Sequence, residues 1–204
     1  MIKLGMNDTK WELFMASIDL FSKHGYGNVS VREIAEQVGI KPPAIYYHFK
    51  SKDEILCQIH DFYIANFYTS IPKLDDLVAL IGKVPPREIF NRLTFFYDDK
   101  LAELMYKISK IAIKEQEREP HAYELMQKAY FDIPKEYLHT ILTKMIEQNI
   151  IEPFDIDTWI TIFSYCDFTS MFRGFEGYEK DSFATTEWIK CRNFLYSMIH
   201  IIEK

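Results

Sequence analysis

The sequence predicts an all-α protein of about nine helices, with a three-helix helix-turn-helix head ahead of a longer helical body. Three observations carry that expectation. Apolar residues recur at intervals of three and four along most of the chain, the spacing of one helix face. No segment sustains β-branched alternation or shows an Asn-Gly hairpin signal. Runs of the form Ser/Thr-x-x-Glu stand ahead of several apolar stretches, where the two side chains can close on unpaired backbone N–H groups.

The elements follow in order. Thr9-Lys10-Trp11-Glu12 has the form of a capping box, and Leu13, Phe14, Ser17, Leu20 and Phe21 follow at helical spacing. Gly25 and Gly27 stop that helix. Ser30-Val31-Arg32-Glu33 opens a short helix to Val38, and Gly39 offers the tolerance of positive φ that a helix end needs. Pro42 and Pro43 open a third helix, where a missing N–H costs little. Ser51-Lys52-Asp53-Glu54 opens a longer helix towards Ser70. Residues 72–84 read as a loop with a helical turn, and Pro85-Pro86 begins another helical stretch. Further helices are expected over 100–117 and 121–150, with Glu119-Pro120 as a break and Pro134 as a kink or split. Asp155 should cap a helix that ends near Gly174 and Gly177. The last helix is expected over about 185–202, with Trp188, Cys191, Leu195, Met198 and Ile202 on one side.

Composition narrows the function classes. With 48% hydrophobic and 26% charged residues among 204, the chain can bury a sizeable core. No apolar run approaches the ~18 residues of a membrane span, and Met1 to Lys10 lacks the apolar core of a signal peptide. Cys57, Cys166 and Cys191 are odd in number and far apart in sequence, as expected of free thiols in a reducing cytoplasm. Residues 1–55 carry seven basic and seven acidic side chains, so the net charge of −6 resides in the remainder. Bulk charge will not hold nucleic acid to a neutral head; a few well-placed cations must. The histidines show no metal-ligand spacing, so neither a metal nor another cofactor is expected. Motifs of the form G-x-x-x-x-G-K-S/T, H-E-x-x-H and G-x-S-x-G are absent, so the chain does not read as an enzyme.

Residues 30–49 fit a helix-turn-helix. Ala35 is small where two helices would cross, Gly39 makes the turn, and Ile34, Val38, Ile40, Ile45 and Phe49 are apolar where they would meet. The second helix of such a motif enters the major groove with its N-terminal residues at base edges. The run from Val31 to Leu56, with Leu20-Phe21-Ser22-Lys23-His24-Gly25-Tyr26 upstream, resembles the DNA-binding head of the tetracycline-repressor (TetR) family. Similarity at residue level covers about residues 10–60; beyond them only the helix count and a strong final helix pair correspond.

The resemblance implies a DNA-binding domain over residues 1–52 and an effector-binding and dimerisation domain over 53–204. It implies DNA contacts from Ser30, Arg32, Lys41, Pro43, Ala44, Tyr46, Tyr47, His48 and Lys52, with Ser30, Arg32 and Lys52 on phosphates. Pro42 departs from the family, where many members carry a polar residue. With Ala44 offering only a methyl, base reading should lean on thymine methyls, on Tyr47 and on DNA shape. The resemblance also implies an effector cavity in the aromatic body, for which Phe96, Met105, Tyr106, Tyr123, Met126, Tyr130 and Phe163 are candidates. A homodimer interface is implied on the last two helices, with Trp159, Phe163, Trp188, Leu195, Met198 and Ile202 as candidates. The function so implied is a cytoplasmic repressor, released from a near-palindromic double-stranded operator by a small, largely apolar effector. The alternative is a regulator of the same fold that acts through a protein partner with no small-molecule response.

Overall fold

A computed structural model of the protein describes residues 5–92, 99–174 and 183–202, with side chains described except at 99, 170–174 and 183–188. The helices are α1 (Asp8–His24), α2 (Val31–Val38), α3 (Lys52–Ser70), α4 (Leu74–Val78), α5 (Pro86–Arg92), α6 (Asp99–Glu115), α7 (Pro120–Gln127), α8 (Ile133–Glu147), α9 (Ile156–Gly174) and α10 (Phe183–Ser197). A six-residue 3-10 helix, Pro42–Tyr47, stands between α2 and α3. Packing divides the chain into two compact units, residues 1–70 with 96–126 and residues 71–95 with 127–204. The expected functional boundary at 52/53 coincides with the start of α3, and α3 packs with the first unit along its whole length.

Local chemistry sets the helix ends. Asn7, not Thr9, caps α1: its Oδ1 accepts the Lys10 N–H at 2.9 Å, which leaves Thr9 inside the first turn. The capping box at Ser30 and Glu33 is complete. At α3 the box is altered, because Ser51 Oγ accepts the Glu54 N–H at 3.0 Å while Glu54 reaches back to the Lys50 N–H at 2.6 Å. Asp155 caps α9 by accepting the Thr158 N–H at 3.1 Å. Pro134 is absorbed by one π turn over Lys128–Asp132. The proline has no N–H to give the carbonyl four residues back, and its ring crowds that carbonyl, so the wider turn relieves both.

α10 ends at Ser197, five residues earlier than expected. The tail pairs instead with the segment after α8: Glu152 N–H donates to the His200 carbonyl and Ile202 N–H to the Ile150 carbonyl, each at 2.9 Å, around the antiparallel bridge of Ile151 and Ile201. Ile202 is therefore not on the helix face assigned to it.

The first unit is built on aromatic packing. Phe14 lies 5.3 Å from Phe62 and 5.4 Å from Trp11 between ring centroids, with Leu13, Ile18, Ile34, Ile55 and Ile59 buried nearby in the same unit. α6 packs on α1, and Lys107 joins them by donating to Asp19 at 2.7 Å. In the second unit Trp159 is the hub. Its ring stacks with Phe163 and Tyr196, and its indole N–H donates to the Leu195 carbonyl at 2.9 Å.

Candidate nucleic-acid interface

The turn of the helix-turn-helix depends on Gly39. Its φ of 79° lies in the left-handed region, and the following Ile40 N–H returns to the Ala35 carbonyl at 3.0 Å. A side chain there would strain the backbone. The chain leaves the turn at Lys41 and enters the 3-10 helix through two prolines. Neither can donate, so the first amide available is that of Ala44, which closes on the Lys41 carbonyl three residues back at 2.8 Å. The element expected as an ordinary third helix is thus a tighter one.

Its burial pattern separates anchors from reading groups. Ile45 and Phe49 are buried and fasten the element, with the Lys10 ammonium 4.8 Å from the centroid of the Phe49 ring. Tyr47 is 90% exposed and Tyr46 58% exposed. Lys41 and Pro43 are also exposed, while Ala44 and His48 are half-buried. Six of the nine sequence candidates therefore lie on one eight-residue segment, Lys41 to His48, held from below by two apolar side chains.

The remaining three are engaged within the chain. Lys52 Nζ donates to the carbonyls of Tyr26 at 2.8 Å and Val29 at 2.9 Å, and sits 4.2 Å from the centroid of the Tyr26 ring. An ammonium has three donors, so one is left for a phosphate. Tyr26 in turn donates its hydroxyl to Asp53; burial, then that carboxylate, pushes the phenol well above its ordinary range. Ser30 donates its hydroxyl to Glu33 at 2.7 Å and accepts the Glu33 N–H at 3.2 Å. The Ser30 backbone N–H donates to the same carboxylate at 2.6 Å, and that bond first, then the hydroxyl's, holds the Glu33 carboxyl below the usual range. Arg32 pairs with Glu36 at 2.7 Å on the exposed face of α2, where the pair is worth little.

The clasp of Lys52, Tyr26 and Asp53 was not visible in sequence, since its partners are 26 or 27 residues apart. Only the run Gly25-Tyr26-Gly27 marked the place, and it reads there as a helix stop. Lys50, exposed between the 3-10 helix and α3, is a further cation at this surface that the sequence pattern did not single out.

The head has counterparts. Residues 13–59 match the model described as bacterial regulatory proteins, tetR family. Over those residues the head is similar to that of the TetR family. A transcriptional regulator of Bacillus subtilis, YerO, is 34% identical over 87 residues, covering 43% of this chain and 29% of its own length. The class A tetracycline repressor of transposon 1721 from Escherichia coli is 34% identical over 62 residues, covering 30% of this chain and 29% of its own. The chain thus spans under a third of the length of each of these two relatives. Whole-chain likeness comes from solved structures. A regulator of Saccharomonospora viridis, in complex with choline, aligns with a TM-score of 0.62 at 19% identity over 97% of this chain and 100% of that one. The ketosteroid regulator KstR2 of Mycobacterium tuberculosis aligns at 0.60 and 18% over 96% of each. At these identities the likeness shows the fold alone, the all-α architecture that these structures share.

The other TetR-type expectations fare unevenly. Of the effector candidates, Met105 and Met126 are buried in the first unit, Tyr106 is half-buried and Tyr123 is 56% exposed. Tyr130 is buried and Phe163 half-buried in the second unit. Phe96 lies outside the described residues, as does the side chain of Trp188. Of the dimer candidates, Trp159 and Leu195 are turned inward, buried in the core of their own unit and joined by the indole hydrogen bond. They have no surface to offer a partner. Among the described residues, the large apolar side chains left exposed on α9 and α10 are Ile162, Tyr165, Ile189 and Phe194, with Met198 exposed just beyond the end of α10. Among the described residues, no group of three or more His, Cys, Asp or Glu could hold a metal ion, and no helix is long and apolar enough to cross a membrane.

Proposed function

We propose that the protein is a dimeric transcriptional repressor that leaves its operator when a small, largely apolar effector binds the body. The observation that carries the reading is the TetR-family head with Tyr46 and Tyr47 exposed on a buried two-point anchor. Two phenols exposed above the buried Ile45 and Phe49 are held where a partner can reach both. The functional division places residues 1–52 at the DNA and 53–204 at effector and dimer.

In this reading Tyr46, Tyr47, Lys41, Pro43, Ala44 and His48 face the major groove or its phosphate walls. Lys52 adds one phosphate contact while its other two donors brace the head, and Arg32 adds a second when it parts from Glu36. Two heads on a symmetric site double the contacts of one. The dimer forms through the exposed apolar face of Ile162, Tyr165, Ile189, Phe194 and Met198. A solved regulator of this fold holds choline, and the aromatic and methionine content of this body suits an apolar or quaternary-ammonium ligand. A coupling of roughly 1–3 kcal/mol changes operator affinity about 5–150-fold.

The test is binding of the purified protein to the DNA upstream of its own gene against random duplex, across a salt series, with sedimentation of wild type and Phe194→Glu. A dimer that prefers its upstream DNA, and a variant that is monomeric and binds weakly, support the reading. A wild-type monomer, or equal affinity for random DNA, overturns it.

A further inference from the structure

A cleft of about 370 Å³ lies in the second unit, between α5 and the end of α10. None of the described candidates for DNA, effector or dimer contact lines it. Its volume falls at the lower end of the roughly 300–1,000 Å³ of small-molecule sites. Phe90 and Tyr196, stacked at 4.8 Å between ring centroids, give it an aromatic wall, and Ile199 and Ile201 extend the apolar lining. The polar side chains on it are Arg87, Asn193 and Ser197. Arg87 enters no ion pair among the described residues; the carboxylate beside it on α5, Glu88, pairs with Arg92 at 2.6 Å. Arg192, one turn before Tyr196 on α10, buries an Nε that finds no partner among the described residues. Two cations without a counter-charge thus flank an aromatic wall. We propose that this cleft binds a small monocarboxylate with an aromatic body.

The ring of such a ligand leaves water against Phe90, Tyr196 and Ile199, of which Phe90 and Ile199 are already buried. Its carboxylate takes two parallel N–H bonds from the Arg87 guanidinium, whose planar fork matches a carboxylate. Asn193, exposed on α10, adds an amide donor. Ser197 adds none, because its hydroxyl proton goes to the Phe194 carbonyl at 2.7 Å. Burial pushes the Tyr196 phenol up to about 12, so it keeps its proton and carries no charge to repel an anion. Arg192 and Arg87 act on that phenol more strongly than the Asp167 carboxylate does, which leaves the cleft positive. An amine is repelled there, and a neutral amide forgoes the charge. The site stands whether or not the head reads DNA.

The experiment titrates the native full chain, labelled at its isoleucine methyl groups, with phenylacetate, phenylacetamide and acetate, and follows the methyl resonances by NMR. The expected result is saturable movement of the Ile199 and Ile201 methyls by phenylacetate, with a Kd of about 1 mM or tighter, while Ile18 in the first unit stays still. Acetate and phenylacetamide should bind at least about tenfold more weakly. Arg87 is exposed, so Arg87→Gln should fold like wild type; it should weaken phenylacetate about tenfold and leave phenylacetamide unchanged. Equal binding of the acid and its amide, or of phenylacetate and acetate, would overturn the proposal. So would undiminished binding in Arg87→Gln, or no saturable shift up to about 10 mM.

Discussion

In the head, α2, the turn after it and the 3-10 helix are set by contacts within a few residues: Ser30 with Glu33, Gly39 with its αL turn, Ala44 with Lys41. In the second unit the helices are set by partners far apart in the chain. Trp159 binds the Leu195 carbonyl 36 residues away, and Phe90 stacks on Tyr196 at 4.8 Å. A locally encoded element announces itself in sequence because caps and turns must use particular residue types at fixed offsets. A helix held by remote aromatic packing shows only an apolar stripe, and a stripe does not say which neighbour it meets.

That difference can be broken at the core first. Phe14 is fully buried against Trp11 and Phe62. Phe14→Ala should lower stability by about 3–5 kcal/mol, read as a fall in the urea midpoint by circular dichroism. A loss under about 1 kcal/mol would mean that the local caps alone hold the head.

A smaller effect comes from His60, the buried polar group in α3 whose two ring nitrogens find no partner. Burial, then the neighbouring His121, lowers its pKa to about 4. The folded state thus disfavours the protonated ring. The stability is fully present above the unfolded value near 6.5 and is lost as pH falls towards 4. The full loss is about 3 kcal/mol, of which about 2 falls between pH 7 and pH 5. His60→Leu should flatten that limb in urea titrations at the two pH values. An unchanged slope would place the acid sensitivity on other groups.

Smaller again is the clasp at the head's edge. Lys52→Met removes two ammonium hydrogen bonds to the Tyr26 and Val29 carbonyls and should cost about 2 kcal/mol of thermal stability in DNA-free protein. A residue whose only partner is a phosphate would leave the DNA-free melting curve unmoved.

How much could be read from sequence follows the same division. The glycine turn, the Ser30 box, the Asp155 cap and the anchors Ile45 and Phe49 were legible, because each follows from residue type and spacing. The first cap was misplaced by two residues, since Asn7 and Thr9 are both good caps and only geometry selects one. The inward roles of Lys52 and Ser30 were hidden, because a cation or hydroxyl beside a recognition helix suits a phosphate equally well. On α9 and α10 the amphipathic stripe named Trp159 and Leu195 as partner-facing. Buried and interface faces are both apolar, and only packing showed which one the chain itself covers.

The central claim is that the exposed tyrosines of the 3-10 helix read DNA. Its most direct test is the affinity of Tyr47→Ala for the gene's own upstream DNA and for random duplex, beside its melting temperature. At 90% exposure Tyr47 contributes almost nothing to folding, so the melting temperature should stay within about a degree of wild type. Specific affinity should fall about tenfold or more, while random-duplex affinity and its salt slope stay nearly constant. An unchanged ratio of specific to random binding, in a protein that melts like wild type, would contradict the account.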